Sequence, residues 1–364
     1  MSKVNEYTIA IVGSHSALDI CRGAKDLGFK TLVVVEKGRD KTYAEHFKTQ
    51  GKVGCVDEVL EVEKFKDILD SRNQKILKEK NSIFIPHRSF EVYLNDYDAI
   101  EKDFTVPMFG NKFLLRIEER YVKPNQYDLL SEAKIKFPKT YNSPKEIDRL
   151  VLVKVAERER KFERAFFLAS SPKDFQVASE ILILEGKITK EALGVAVIEE
   201  FILGVQINFN FFYSPITKRV ELVGTDTRRQ TNIDGLLRLP AFYQNQLQES
   251  IQIKYEEAGH IAVTTLESTL EPAFEMANRF VEASQKLYPP GIIGPFGLQS
   301  VITAGPPKKE IVVFDVSPRM PGSPGIFATP YSGYLYGQSM SMGKRVAVEI
   351  EKAINNNMVK QIIT

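Results

Sequence analysis

GPFGLQSVITAGPPKKEIVVFDVSPRMPGSPGIF, residues Gly294–Phe327, reads as strand, loop, strand. Leu298-Gln299-Ser300 falls on the first strand and Val313-Phe314-Asp315-Val316 on the second. Gln299 and Asp315 are polar groups set among apolar neighbours. On paired strands both can point at one spot. An amide oxygen and a carboxylate there suit Mg2+, held loosely by protein and completed by nucleotide phosphates. Arg319, two residues beyond Ser317, adds a fork of donors matched to phosphate oxygens. Alone, the pair is also what an edge-strand glutamine and a solvated aspartate would give, so the surrounding chain has to decide.

Towards the N-terminus, residues 1 to about 105 alternate strand and helix. Tyr7–Gly13, Thr31–Glu36, Val53–Val62 and Ser82–Pro86 read as strands. Ser16 opens a capping-box-like helix start, S-A-L-D, and Gly28 reads as its stop. Tyr43–Gln50 is expected as a short helix and Phe65–Lys80 as a charged surface helix. Alternation of this kind predicts a parallel, doubly wound sheet with ligands at the carboxyl ends of its strands. Gly13-Ser14-His15-Ser16 and Pro86-His87-Arg88-Ser89 both fall on that edge. Phosphate capture and ordinary βα turns are evenly matched readings of them. No G-x-G-x-x-G is present, which argues against a dinucleotide site.

Pro107–Asn111 punctuates the chain. After it, Lys112–Tyr121 reads as a basic helix, Leu150–Val155 as a strand carrying Lys154, and Gly194–Phe201 as a strand ending in two carboxylates. Val205–Tyr213 and Lys218–Thr225 form a hairpin pattern, and a helix is expected near Pro272–Lys286.

The bulk numbers are consistent with a small-molecule enzyme. The 364 residues exceed one simple core, and 43% hydrophobic content excludes a disordered chain. A net charge of +2 argues against nucleic acid as a partner. Cys21 and Cys55 lie in apolar stretches and read as buried thiols. No stretch approaches a membrane span and the first residues lack a leader pattern, so the expected compartment is the cytoplasm.

Asp315-Val316-Ser317-Pro318-Arg319 resembles the E-x-N-x-R motif that closes an ATP-grasp domain. Ile198-Glu199-Glu200-Phe201 resembles the hinge on which such enzymes seat adenine. More narrowly, six segments resemble the formate-dependent 5-formaminoimidazole-4-carboxamide ribonucleotide (FAICAR) synthetase family: Ile11–Leu18, Ile85–Phe90, Phe109–Lys112, Thr231–Leu236, Pro289–Phe296 and Phe314–Arg319. They occur in order over nearly the whole chain.

The resemblance implies an α/β and α+β protein, an ATP-grasp fold preceded by a Rossmann-like parallel-sheet domain. The implied division is residues 1–110, binding the ribonucleotide, and 111–364, with subdomains at about 111–204 and 205–364. The implied reaction joins formate to the amine of the ribonucleotide AICAR, with ATP, through formyl phosphate. The implied substrate contacts are His15, Ser16, Ser89, Asn232 and His260. Lys112, Lys154, Glu199, Glu200, Phe201, Ile202 and Gln230 would hold ATP; Lys154 and Arg319 would stabilise the transferring phosphoryl group. Gln299 and Asp315 would bind Mg2+, with Mn2+ as the alternative. A homo-oligomer, trimer or hexamer, is implied in the same way. Met320–Gly337, with four glycines and three prolines, is expected as a lid that excludes water.

Three departures keep alternatives open. Ala156–Phe166 has no glycine where the family has a glycine-rich phosphate loop, and four basic residues stand there instead. Gln230 replaces a glutamate, and His260 replaces an asparagine that contacts the ribonucleotide. A ligase acting on a different amine and a catalytically silent nucleotide-binding homologue are the competing readings. Free imidazole titrates near neutrality, which makes His15 and His260 candidates for a general base, yet both read as ligand contacts instead.

Overall fold

The computed structural model describes residues 3–120, 122–155, 166–229, 231, 233–247, 258–305 and 308–364. Four strands, β1 (Thr8–Val12), β2 (Lys30–Glu36), β3 (Glu58–Val62) and β4 (Ser82–Phe84), form a parallel sheet in the order β3-β2-β1-β4. All five residues of β1 are buried, as expected of a central parallel strand covered on both faces. The helix Ala17–Asp26 places Ala17, Ile20, Cys21 and Ala24 on one buried stripe. Gly28, just past its end, has φ +86°, which only glycine adopts cheaply.

Several local expectations are corrected. Ser16 makes no cap; its hydroxyl donates to the Pro321 carbonyl at 2.6 Å, which removes it from the helix end. The expected helix Phe65–Lys80 is broken by Asp70, whose ψ of 137° is extended, into a 3-10 turn at Phe65–Leu69 and a helix at Ser71–Glu79. Tyr43–Gln50 reduces to one wide turn at Thr42–His46, and Lys112–Glu118 is a 3-10 rather than an α-helix. The third strand starts only at Glu58, because Gly54 turns at φ +81°.

Two antiparallel sheets follow. The smaller contains β5 (Thr140–Tyr141), β6 (Val151–Lys154), β7 (Phe166–Ala169) and β8 (Val197–Glu200), in the order β5-β8-β6-β7. The larger contains β9 (Val205–Ser214), β10 (Arg219–Arg229), β11 (Gly259–Ala262), β12 (Gly294–Ile302) and β13 (Ile311–Ser317), in the order β11-β10-β9-β12-β13. Residues 201–204 join β8 to β9 and so connect the two sheets.

Alternation along β9 separates two faces. Phe209 and Phe211 share a core with Phe280 of the helix Glu267–Leu287. Asn208, Asn210 and Phe212 take the other face, where Phe212 joins the core of the first sheet. The chain's end also returns there. The helix Met342–Asn355 crosses Ala17–Asp26 at Gly343 and Gly23, where added Cβ atoms would lie 2.4 Å from Asp19 O and Lys344 N, respectively. Among the described residues, no helix is long and apolar enough to cross a membrane.

Candidate active site

Strand register sets four polar side chains in one row. Asp315 on β13 lies opposite Gln299 on β12, which lies opposite Asn208 on β9, which lies opposite Asp226 on β10. A bulge at Gln299/Ser300 adjusts the pairing next to this row. Gln299 Nε2 donates to Asp315 Oδ2 at 3.2 Å and to Ser317 Oγ at 3.3 Å. Asn208 Nδ2 and Asn210 Nδ2 donate to the two oxygens of Asp226 at 2.9 and 2.6 Å. Gln299 and Asn208 are buried, and the oxygen of each amide has no donor among the described residues. Such oxygens are uncommon in folded proteins and call for an explanation.

A chain of alternating charge runs from this row to the small sheet. Arg120 Nη2 donates to Asp315 Oδ1 at 3.2 Å, and its Nε donates to the Tyr127 hydroxyl at 3.1 Å. That hydroxyl donates to Glu199 Oε2 at 2.7 Å, and Glu199 pairs with Lys154 Nζ. Burial alone would raise the Asp315 carboxyl, but the charges of Arg120, Lys154 and Arg228 outweigh it and hold the group below the usual range. Burial lowers Lys154, as does Arg120; Glu199 and Asp315 oppose them. Burial pushes the Tyr127 hydroxyl up, and Glu199 adds to it.

A second group gathers under residues 320–323. His15 sits at φ +45° with its ring against Gly322, where a Cβ would fall 1.9 Å from Cε1. His260 Nδ1 pairs with Asp226 Oδ2 at 2.6 Å and lies 3.2 Å from Ser323 Oγ. Ser89 Oγ donates to Ser14 Oγ at 2.9 Å. His87, which the sequence placed on this edge without a role, is fully buried with Nε2 2.9 Å from Val12 O. Burial lowers it to about 4, so it is a neutral structural pin. Met320, Ser323, Ile326 and Tyr331 are buried, so the segment expected as a lid is already packed down at those points.

Other sequence candidates fall elsewhere. Lys112 does not join the Lys154 group: its amine donates to Phe104 O at 3.3 Å, and Glu101 is the charge acting on it. Its expected role beside ATP phosphates therefore has no geometric support. Arg319 lies beyond β13 in ion pairs with Glu118 at 3.0 Å and Glu91 at 3.6 Å. Glu200 pairs with Arg149 at 3.1 Å, and Phe201 N donates to Leu150 O at 2.9 Å in the inter-sheet link that also holds Ile202. Gln230, Asn232 and residues 156–165 lie outside the described residues.

Sequence reasoning missed Arg120, Tyr127, Asn208, Asn210 and Asp226. The two asparagines were visible as a period-2 polar pair in INFNFF, Ile207–Phe212. Arg120 gave no local signal, because its partner is 195 residues away.

The donor set suits a hard divalent cation. Among the described residues no three His, Cys, Asp or Glu side chains gather to hold a metal. Here the donors are one ionised carboxylate and buried amide oxygens, which fit Mg2+ completed by nucleotide phosphates.

Comparison with known proteins follows this geometry. The family models "Protein of unknown function (DUF1246)" and "Domain of unknown function (DUF1297)" match residues 9–141 and 174–364. A protein of Methanothermobacter thermautotrophicus named 5-formaminoimidazole-4-carboxamide-1-(beta)-D-ribofuranosyl 5'-monophosphate synthetase is 41% identical over 361 residues, covering 99% of this chain and 95% of the relative. A protein of the same name from Methanopyrus kandleri is 38% identical, covering 99% and 96%. The crystal structure of an IMP biosynthesis protein from Thermococcus kodakaraensis superposes with a TM-score of 0.70 at 27% identity, covering 98% and 100%. The fold is that of the ATP-grasp ligases, shared also with phosphoribosylglycinamide and N5-carboxyaminoimidazole ribonucleotide synthetases.

Proposed function

Because the chain belongs to the FAICAR synthetase family, we propose that it is an ATP-dependent carbon–nitrogen ligase that formylates the amine of AICAR with formate. The observation that carries this reading is the Asp315–Gln299 pair, directly opposed on β13 and β12 and tied to Lys154 through Arg120, Tyr127 and Glu199. The relatives' names favour it over a ligase for another amine or a silent homologue.

Formate oxygen attacks the γ-phosphorus of ATP, the bond to ADP breaks, and formyl phosphate forms. The AICAR amine attacks the formyl carbon, phosphate leaves, and the nitrogen gives up a proton. A divalent cation on Asp315 and Gln299 would neutralise charge on the phosphates. Catalysis by the chain itself is then positioning and electrostatics. Asp315 stays ionised because three cations surround it. Lys154 stands at the end of β6, buried and paired with Glu199. The backbone of residues 199–202, at the end of β8 and on the link between sheets, would seat adenine. His15 and His260 lie against the 320–323 turn, Ser89 hydrogen-bonds Ser14 next to His15, and the three would hold the ribonucleotide. Arg319 would stabilise the transferring group only after exchanging a carboxylate partner for phosphate.

The test is ADP release by the purified chain with MgATP, formate and AICAR, each omitted in turn. All three are required under this reading, and Asp315→Asn removes turnover. Folded protein that binds ATP yet releases no ADP when formate and AICAR are added would refute it.

A further inference from the structure

The polar face holds two buried amide oxygens without a donor, and the reading above uses only one. Gln299 Oε1 and Asn208 Oδ1 are both buried and unpartnered among the described residues. Their residues are direct partners across β12 and β9. Their orientation is fixed by charge. Gln299 Nε2 donates to Asp315 Oδ2 at 3.2 Å, and Asn208 Nδ2 donates to Asp226 Oδ2 at 2.9 Å. Turning either amide over would set its oxygen against a carboxylate oxygen, so the network assigns the nitrogen positions. Each amide therefore gives its nitrogen to the carboxylate outside the pair and keeps its oxygen turned away from that carboxylate.

One unpartnered oxygen could await a single substrate N–H. Two on directly paired residues, with the side chain of Asp315 next in the row, are the donor pattern of a hard cation. Ser317 strengthens the point. It stands where the E-x-N-x-R pattern has its amide, and its hydroxyl already accepts from Gln299 Nε2 at 3.3 Å.

We propose that Asn208 is a third protein oxygen ligand of the divalent cation, beside Asp315 and Gln299, with Asp226 holding its amide in the ligating orientation. This rests on the ligase reading for the location of the cation. It assigns to this chain a residue that neither motif nor spacing singled out. It also gives Asp226 a task besides pairing with His260: its two oxygens fix the amides of Asn208 and Asn210 together.

The experiment is Mn2+ binding to the full chain at saturating ADP, read by electron paramagnetic resonance of free Mn2+. Asn208→Leu is expected to weaken Mn2+ by ~10-fold or more, while ADP binding measured in chelator changes by less than ~2-fold. Asn210→Leu is the control. It removes the same kind of donor from the same carboxylate, at 2.6 Å, and leaves the proposed ligand in place. It should keep the wild-type Mn2+ affinity. The inference is overturned if Asn208→Leu binds Mn2+ like the parent, or if Asn210→Leu loses as much, since the effect then runs through Asp226. Should Asn208→Leu fail to fold, Asn208→Ala decides: it removes the oxygen without adding bulk, weaker Mn2+ binding supports the proposal, and parental Mn2+ affinity refutes it. Asp315→Asn and Gln299→Leu separate the two levels. If neither weakens Mn2+, the cation site itself is misplaced and the ligase reading loses its support; if both do and Asn208→Leu does not, only Asn208 falls.

Discussion

Replacing Glu91 by glutamine should flatten the dependence of stability on pH between 6.5 and 8. Glu91 is fully buried beside Arg88 at 3.2 Å and Arg319 at 3.6 Å. Glu118 pairs with the same two arginines at 3.3 and 3.0 Å, and Glu119 with Arg88 at 3.2 Å. Three carboxylates thus face two guanidinium groups. Glu91 Oε1 and Glu118 Oε1 are both buried without an aligned donor. Burial, and then the charge of Glu118, push Glu91 from its ordinary 4.5 up to about 8. Between those values the folded chain holds a proton that the unfolded chain has released. Stability is therefore fully present below pH 4.5 and falls by ~1.4 kcal/mol per unit until about 8. From pH 6.5 to 8 the loss is about 2 kcal/mol by the same slope. Two other shifted groups fall outside this window. His87, lowered from 6.5 to about 4, costs stability only as pH drops below 6.5, and Asp19, raised from 3.8 to about 6, only as pH rises through that range. The chain has no tryptophan, so urea unfolding is followed by far-ultraviolet circular dichroism. Glu91→Gln should match the parent at pH 6.5 and exceed it at pH 8. Equal slopes for the two proteins would refute a proton held on Glu91 in this window.

Gly322→Ala drives a methyl into the His15 ring, 1.9 Å from Cε1; if His15 holds the ribonucleotide, AICAR should bind about tenfold weaker by calorimetry, roughly 1.4 kcal/mol, with ADP affinity intact. Arg345 is fully buried between Glu221 at 2.6 Å and Glu349 at 2.9 Å, so Arg345→Met strands two buried carboxylates and should cost about 3–5 kcal/mol in urea unfolding; a loss under about 1 kcal/mol would mean the carboxylates take up protons instead. Gly343→Ala places a Cβ 2.4 Å from Asp19 O and should release the helix Met342–Asn355 from Ala17–Asp26; faster amide exchange in both helices checks this, and unchanged protection contradicts it.

What the sequence made legible was set by range. The runs Thr8–Val12 and Lys30–Glu36 are continuous and apolar, so their burial in a parallel sheet was readable without knowing their neighbours. The facing of Gln299 and Asp315 was also readable, as polar residues inside two apolar strands joined by one loop. Features decided by distant partners were not. Ser16 looks like a helix cap, but an acceptor 305 residues away takes its hydroxyl. Nearer contacts can mislead too: Lys112 lies where a phosphate lysine is expected, yet the carbonyl of Phe104, eight residues back, receives its amine. Arg120 belongs to an ordinary charged run, Glu118-Glu119-Arg120, and becomes part of the site only because β13 comes back to it. Asn208 and Asn210 carried a local signal, strand alternation, whose meaning depended on the strand beside them.

The charge chain through the cleft shows why a buried Lys154–Glu199 pair can also be a working one. Desolvation makes such pairs costly, and removing one partner usually leaves an uncompensated charge. Here neither end is left alone. If Lys154 turns to a phosphate, Glu199 keeps the Tyr127 hydroxyl at 2.7 Å. If a cation takes Asp315, Arg120 keeps that same tyrosine at 3.1 Å and is freed to face phosphate. Tyr127 accepts from the cation on one side and donates to the anion on the other, and burial keeps its proton in place at neutral pH. Exchanging partners at either end thus leaves every buried charge with a hydrogen bond. Because Tyr127 is the link both exchanges share, Tyr127→Phe should impair them together, whereas changes at Lys154 or Asp315 act on one end each.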